Sequence, residues 1–180
     1  MNNITYIILL KNQEKNIPLL AESLKALDGD FRKEYIIVDD CSSDNTKSSA
    51  MESFSAFPKT TIISNNGFFG PAYSINQALK VASGRHIHFI DGDEIVTPNA
   101  TSVLLSACEA MGTSMAVGLY GRLDDDGNKF SNSHDTGDMT LIESPIKAIL
   151  ENTMPDIRRV GYSATLISRS LLEQIGGVDE

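Results

Sequence analysis

Residues 35–44 read Tyr-Ile-Ile-Val-Asp-Asp-Cys-Ser-Ser-Asp. An apolar run with no polar interruption marks a strand covered on both faces, because a strand with one wet face alternates. The run ends on two carboxylates and a cluster of small turn-forming residues, so those acids stand at the strand's carboxyl end. Upstream, residues 5–10 (TYIILL) form a second run of the same kind. Between the two, Ile17, Leu20, Leu24 and Leu27 recur at steps of three and four, which lays one apolar stripe along a helix.

Working outward, the alternation repeats. Residues 60–64 and 86–90 read as a third and a fourth strand, and residues 115–120 as a fifth. The helix before the fourth strand starts at Pro71, a favoured first-turn residue, and is expected to bury Ile75, Leu79 and Ala82. Thr97-Pro98 opens another helix, with Val103, Leu104, Ala107 and Met111 as its expected inner face. Residues 122–140 form a polar stretch rich in Asp, Asn and Gly. A late strand over 164–167 and a short helix over 169–175, ended by Gly176-Gly177, complete the pattern. The order β-α-β-α-β-α-β-α-β predicts an α/β fold: a Rossmann-like, mostly parallel sheet with helices on both faces. With no internal repeat and no separating linker, residues 1–180 read as a single domain.

Composition narrows the function classes. Asp and Glu number 24 against 15 Lys and Arg, and the net charge of -9 repels phosphate backbones, so no nucleic-acid partner is expected. Cys41 and Cys108 are too few and too far apart for a disulfide scaffold or a thiolate zinc site. The N-terminus lacks a basic leader. The apolar run ending at Leu10 is far shorter than the roughly 18 residues of a membrane span. A cytoplasmic location follows as the expectation, with any contact to the inner membrane face supplied by partners or missing chain.

In open α/β sheets, ligands bind beyond the carboxyl ends of the strands. Two acidic clusters sit there: 39–44 after the second strand, and Asp91-Gly92-Asp93-Glu94 after the fourth. If the chain stays extended, Asp91 and Asp93 point the same way, and Gly92 leaves no side chain in a ligand's path. Two carboxylates suit a hard divalent cation, Mg or Mn, that also binds substrate phosphates. Asp44 reads as a helix-capping acid. His86 and His88 share a strand face and read as core or sheet-surface histidines rather than ligands, and His134 as a solvated loop residue. Asp124, Asp126 and Asn128 begin like a calcium loop, but Lys129 stands where such a loop needs Gly, so a hairpin turn is the simpler reading. Arg158 and Arg159 read equally well as partners of a ligand, its phosphates included, or as an exposed pair.

Together these residues resemble the family 2 glycosyltransferases of the GT-A fold. Residues 36–46 (IIVDDCSSDNT) are similar to the family's V-V-D-D-G-S-x-D-x-T. A spaced Asn/Gly/Ala pattern then runs from Asn65 or Asn66 through Asn76 to Gly84, Asp91 to Asp93 supply the D-x-D, and residues 171–180 resemble L-x-x-x-G-G-F-D-E. The resemblance implies an inverting, metal-dependent enzyme. It would move a sugar from a nucleotide-diphosphate donor, most often a UDP-sugar, to a saccharide or other hydroxyl acceptor, as in polysaccharide biosynthesis. It also implies that Asp39 or Asp40 holds the base, that Asn12 and the segment from Gly67 to Asn76 face the nucleoside, that Asp91 meets ribose or metal, and that Asp93 ligates the metal. Two positions depart from the pattern: the family's P-T-Y-N is here Leu9-Leu10-Lys11-Asn12, and an Arg before the helix Asn is Ile75. The family's catalytic base would fall beyond Glu180, so the expected domain is truncated on its acceptor side. The alternative is a non-catalytic nucleotide-sugar-binding module of the same fold. A phosphoacceptor receiver domain fits poorly, since its acidic pair follows the first strand.

Overall fold

The computed structural model describes residues 3–118 and 164–178. Its spine is β1 (Asn3–Leu10), buried at every position from Ile4 onward. β2 (Arg32–Asp39) lies along one edge of β1 and β4 (His86–Asp91) along the other, both parallel, so that Ile7 stands opposite Ile36 and Phe89. Tyr6, Ile8 and Leu10 face a core shared with Ile17, Leu20 and Leu24 of α1 (Ile17–Lys25), Ala50 of α2 (Thr46–Ser53), and Leu104 and Leu105 of α4 (Ala100–Met111). Ile7 and Leu9 face the opposite core, with Ile75 and Ala78 of α3 (Pro71–Leu79) and Leu172 of α5 (Arg169–Ile175). Both faces of the strand are therefore apolar, which is why its sequence does not alternate.

The six-stranded sheet has the order β3-β2-β1-β4-β6-β5, with β3 (Thr60–Ser64) at one edge and β5 (Met115–Val117) at the other. The mostly parallel α/β expectation holds for β1 to β4. The last two strands are the antiparallel part of that mostly parallel sheet. β6 (Thr165–Ser168) runs antiparallel to β4 and separates it from β5, which pairs antiparallel with β6. The expected fifth strand is thus a short edge piece, and residues 119–120 of that expectation lie outside the described residues. The polar stretch, His134, the calcium-like run from Asp124, and the Arg158-Arg159 pair lie outside them too.

α4 differs from its expected register. It starts at Ala100, and its buried face is Thr101, Leu104, Leu105 and Cys108, while Val103 and Met111 are exposed. Apolar residues surround this helix, so hydrophobicity leaves its rotation open and a polar contact decides it. The Tyr6 hydroxyl donates to Thr101 Oγ1 at 3.0 Å, and His88 Nδ1 lies 3.0 Å from the same oxygen. His86 and His88 are both buried, as expected, and burial pushes His88 down to about 4. No helix among the described residues is long and apolar enough to cross a membrane.

The amino ends of the strands are tied together by a residue the sequence did not single out. Glu34 accepts hydrogen bonds from the Thr5 hydroxyl and from Ser83 N (2.8 Å) and Oγ (3.0 Å), and pairs with Lys59 at 2.8 Å. Burial alone would raise its carboxyl; Lys59 and these donors outweigh burial and hold it at about 2, against an ordinary 4.5. A carboxyl lower in the folded than in the unfolded chain stabilises fully above about 4.5, and that contribution is lost as pH falls toward 2. Glu34→Gln should cost about 1–2 kcal/mol at pH 7. In urea titrations the gap between parent and variant should close on acidification, and a gap independent of pH would contradict this role.

Candidate donor-binding cleft

The chain runs from β1 outward to β2 and β3, then returns through α3 to β4 on the other side of β1. The loops above β1 and β4 therefore diverge, and such a reversal opens a crevice at the carboxyl ends of the strands. A cleft of about 260 Å³ lies there. Three carboxylates line it (Asp40, Asp91 and Asp93), with one ammonium, Lys11, and one aromatic ring, Phe68. A second hollow of about 310 Å³ on the outer face of α4 is lined by Ser102, Val103, Ser106, Ala107 and Ala110. It offers no ionisable group, so the chemistry belongs to the first.

Asp40 builds one wall. Its buried Oδ1 accepts from Asn65 Nδ2 (2.7 Å) and Phe69 N (3.1 Å), and its Oδ2 from Gly70 N (2.8 Å). The carboxylate thus gathers the loop before α3, which Gly70 enters at φ 87°, a conformation suited to glycine. Asp39 is buried beside it, accepting from Ser42 N at 3.2 Å, and is not among the residues that line the cleft. Asn12, at φ 54°, accepts from Ser43 N and Oγ at 2.9 and 3.2 Å and so ties the loop after β1 to the loop after β2. The N-cap of α2 is Asn45, and Asp44, one residue earlier, accepts from Thr46 N at 3.0 Å; the Thr46 hydroxyl draws its carboxyl below the usual range.

Gly67 packs beneath the Phe69 ring, whose nearest atom would lie 3.3 Å from an added Cβ. Asn76 is committed elsewhere: its Nδ2 donates to the Val178 carbonyl at 2.8 Å, and its Oδ1 accepts from Val178 N at 3.0 Å. Neither lines the cleft. The segment from Gly67 to Asn76 meets it instead through Phe68, Pro71 and Ser74.

Asp91 and Asp93 form the opposite wall, but not as an extended pair. Glu94 N donates to Asp91 O at 3.1 Å, so residues 91–94 make a turn. Both residues still line the cleft. Gly92 is constrained by the chain's own packing: a Cβ there would lie 2.6 Å from Leu10 Cδ2 and 3.1 Å from Leu9 O. Among the described residues, no three His, Cys, Asp or Glu side chains gather into a metal cage. Two carboxylates at a cleft suit a Mg²⁺ or Mn²⁺ ion that completes its shell with water and substrate phosphates.

Phe68 falls within the segment from Gly67 to Asn76 expected to face the nucleoside but was not singled out in it, and Lys11 was not expected to line the cleft. The only available signal was a Phe-Phe pair inside a turn-rich Asn-Asn-Gly-Phe-Phe-Gly-Pro segment, where an apolar pair has no core to enter.

Residues 5–176 match the glycosyl transferase family 2 model. The chain belongs to that family. Over 173 residues, 95% of this chain and 49% of the relative, it is 25% identical to the succinoglycan biosynthesis protein ExoO of Rhizobium meliloti. Over 87 residues, 48% of this chain and 34% of the relative, it is 34% identical to WfgD of Escherichia coli, a UDP-Glc:alpha-D-GlcNAc-diphosphoundecaprenol beta-1,3-glucosyltransferase. Its fold is that of S. aureus TarS 1-349 in complex with UDP-GlcNAc, with a TM-score of 0.72 and 21% identity over 97% of this chain and 47% of that one. The mannosyltransferase PcManGT of Pyrobaculum calidifontis, in complex with GDP-Man and Mn2+, matches with a TM-score of 0.64 and 18% identity over 97% of this chain and 46% of that one. The GT-A expectation is met. The chain spans half or less of the length of these relatives.

Two substitutions test the walls. Asp40→Ala leaves Phe69 N and Gly70 N without their acceptor, so their amide hydrogen exchange should quicken by at least about tenfold, roughly 1.4 kcal/mol of local protection. Gly92→Ala forces a methyl against Leu10 and Leu9, and should lower unfolding free energy by about 1–3 kcal/mol in a denaturant titration.

Proposed function

We propose that this domain binds the donor of a glycosyltransferase that moves a sugar from a nucleoside diphosphate to an acceptor hydroxyl with inversion. The observation that carries the reading is the cleft at the reversal of strand order, with Asp40 on one wall and Asp91 and Asp93 on the other. Family membership and nucleotide-sugar-bound structures of the same fold support it.

In this reading Asp91 and Asp93 hold a divalent cation that, when bound, stabilises the negative charge developing on the diphosphate as the glycosidic bond breaks. Asp40 faces the base, and Asn12, Asp39, Gly67 and Asn76 hold the surrounding loops. An inverting transfer also needs a base to take the acceptor's proton. No described carboxylate beyond those three lines the cleft, so that base is proposed to come from chain outside the described residues. The UDP-sugar donor, the saccharide or other hydroxyl acceptor and the cytoplasmic location belong to the same proposal.

Calorimetry with UDP and GDP, with and without Mn²⁺, tests it on the parent and on Asp93→Ala. Binding should require the metal and should be abolished by the substitution. Equal binding by both proteins would remove Asp93 from the site.

A further inference from the structure

α3 and α5 run past one another in opposite senses. α3 starts at the cleft, which Pro71 lines, and the chain after it reaches the opposite pole, where Ser83 donates to Glu34 and Gly84 N to Thr5 Oγ1. α5 starts at that pole, with Arg169 N donating to Arg85 O at 2.9 Å. Its own fastenings are complete at its last turn. Leu172 is buried in the core that holds Ile75 and Ala78, and Gly177 N closes the helix end on Leu172 O at 2.9 Å. Yet the residue after that closure is fixed again. Asn76 Nδ2 donates to Val178 O at 2.8 Å, and Asn76 Oδ1 accepts from Val178 N at 3.0 Å. One side chain thus takes both backbone groups of one residue, as a paired strand would. Gly177 permits the approach: it stands at φ 100°, and a Cβ on it would lie 2.5 Å from Asn76 Oδ1.

Bonds made beyond the cap add nothing to the helix; they fix the path of the chain that leaves it. Asn76 stands five residues after Pro71, about 7–8 Å along the helix axis. Extended chain covers about 3.3 Å per residue, so two or three residues past Val178 span the distance to the cleft. We infer that Asn76 is a positioning residue, which aims the chain leaving Val178 at the cleft and ties that path to α3, the helix whose first turn belongs to the cleft wall. The inference rests on the donor-binding reading for its purpose. That reading draws the proton acceptor from chain outside the described residues, and such a group must meet the donor at a fixed height. The clamp sets that height with no contact between Asn76 and the donor.

Amide NMR with UDP and Mn²⁺, and with Mg²⁺ as the diamagnetic reference, tests this on the parent, Asn76→Ala, Asn76→Asp and Gly177→Ala. Bound Mn²⁺ broadens amide signals the more strongly the nearer they lie, and Gly92 reports its occupancy in each protein. In the parent the broadening should grow from Val178 through Asp179 to Glu180, while Ser83 at the far pole is least affected. Asn76→Ala should lose that gradient, and Asn76→Asp, which keeps the acceptor for Val178 N, should retain part of it. Gly177→Ala drives a methyl into Asn76 and should lose it too. A merely stabilising clamp would lower the melting temperature of the variants and leave the gradient, taken relative to Gly92, as in the parent; that result overturns the inference. A parent whose broadening falls from Val178 to Glu180 overturns it as well. In both cases Gly92 is still broadened, and the donor reading stands. If Mn²⁺ leaves Gly92 sharp in the parent, both readings fall. Should Asn76→Ala fail to fold, Asn76→Asp and Gly177→Ala decide the question.

Discussion

β1 is hydrogen-bonded along both edges and covered by helices on both faces, and the other features follow from that enclosure. A strand so placed cannot end the sheet. The chain must add strands on one side, then cross over to add them on the other. The crossing through α3 sets the loop after β2 apart from the turn after β4, and the cleft is the gap between them. Its walls then need rigidity without a core of their own. Asp40 supplies it on one side by gathering three N–H groups. Gly92 supplies it on the other by packing directly on the end of β1.

The electrostatics of the cleft follow from its contents. Three carboxylates and one ammonium line it, in a chain whose net charge is already -9. A diphosphate would be repelled by such a surface unless a cation intervened. The Asp91 and Asp93 end is therefore poor for an anion by itself and suited to an anion that arrives with a metal.

The parallel core was legible in the sequence because burial on both faces leaves a signature that needs no partner to interpret. Residues 5–10 and 35–38 carried it. The rotation of α4 was not legible, since its apolar residues surround the helix and Thr101 decides through contacts with Tyr6 and His88, remote in sequence. The antiparallel pairing of β5 and β6 was hidden for a related reason: strands of three and four residues say little about which neighbour they take. At the cleft, the acids at the strand ends could be found, but their occupations could not. Which lone pairs of Asp40 are already taken, or that Asn76 is spent on Val178, depends on backbone N–H groups that no residue pattern displays.

The knot around Glu34 lies at the end of the sheet opposite the cleft. The anchoring contacts and the cleft therefore occupy separate poles of one scaffold. Loops at the cleft's pole can diversify, acquiring other rings or other charges, while the anchored pole keeps the architecture intact. Asp40 is the exception to that division of labour. Because it braces a wall and also lines the cleft, any lineage that changed it would have to re-engineer the wall's shape and its charge in the same step.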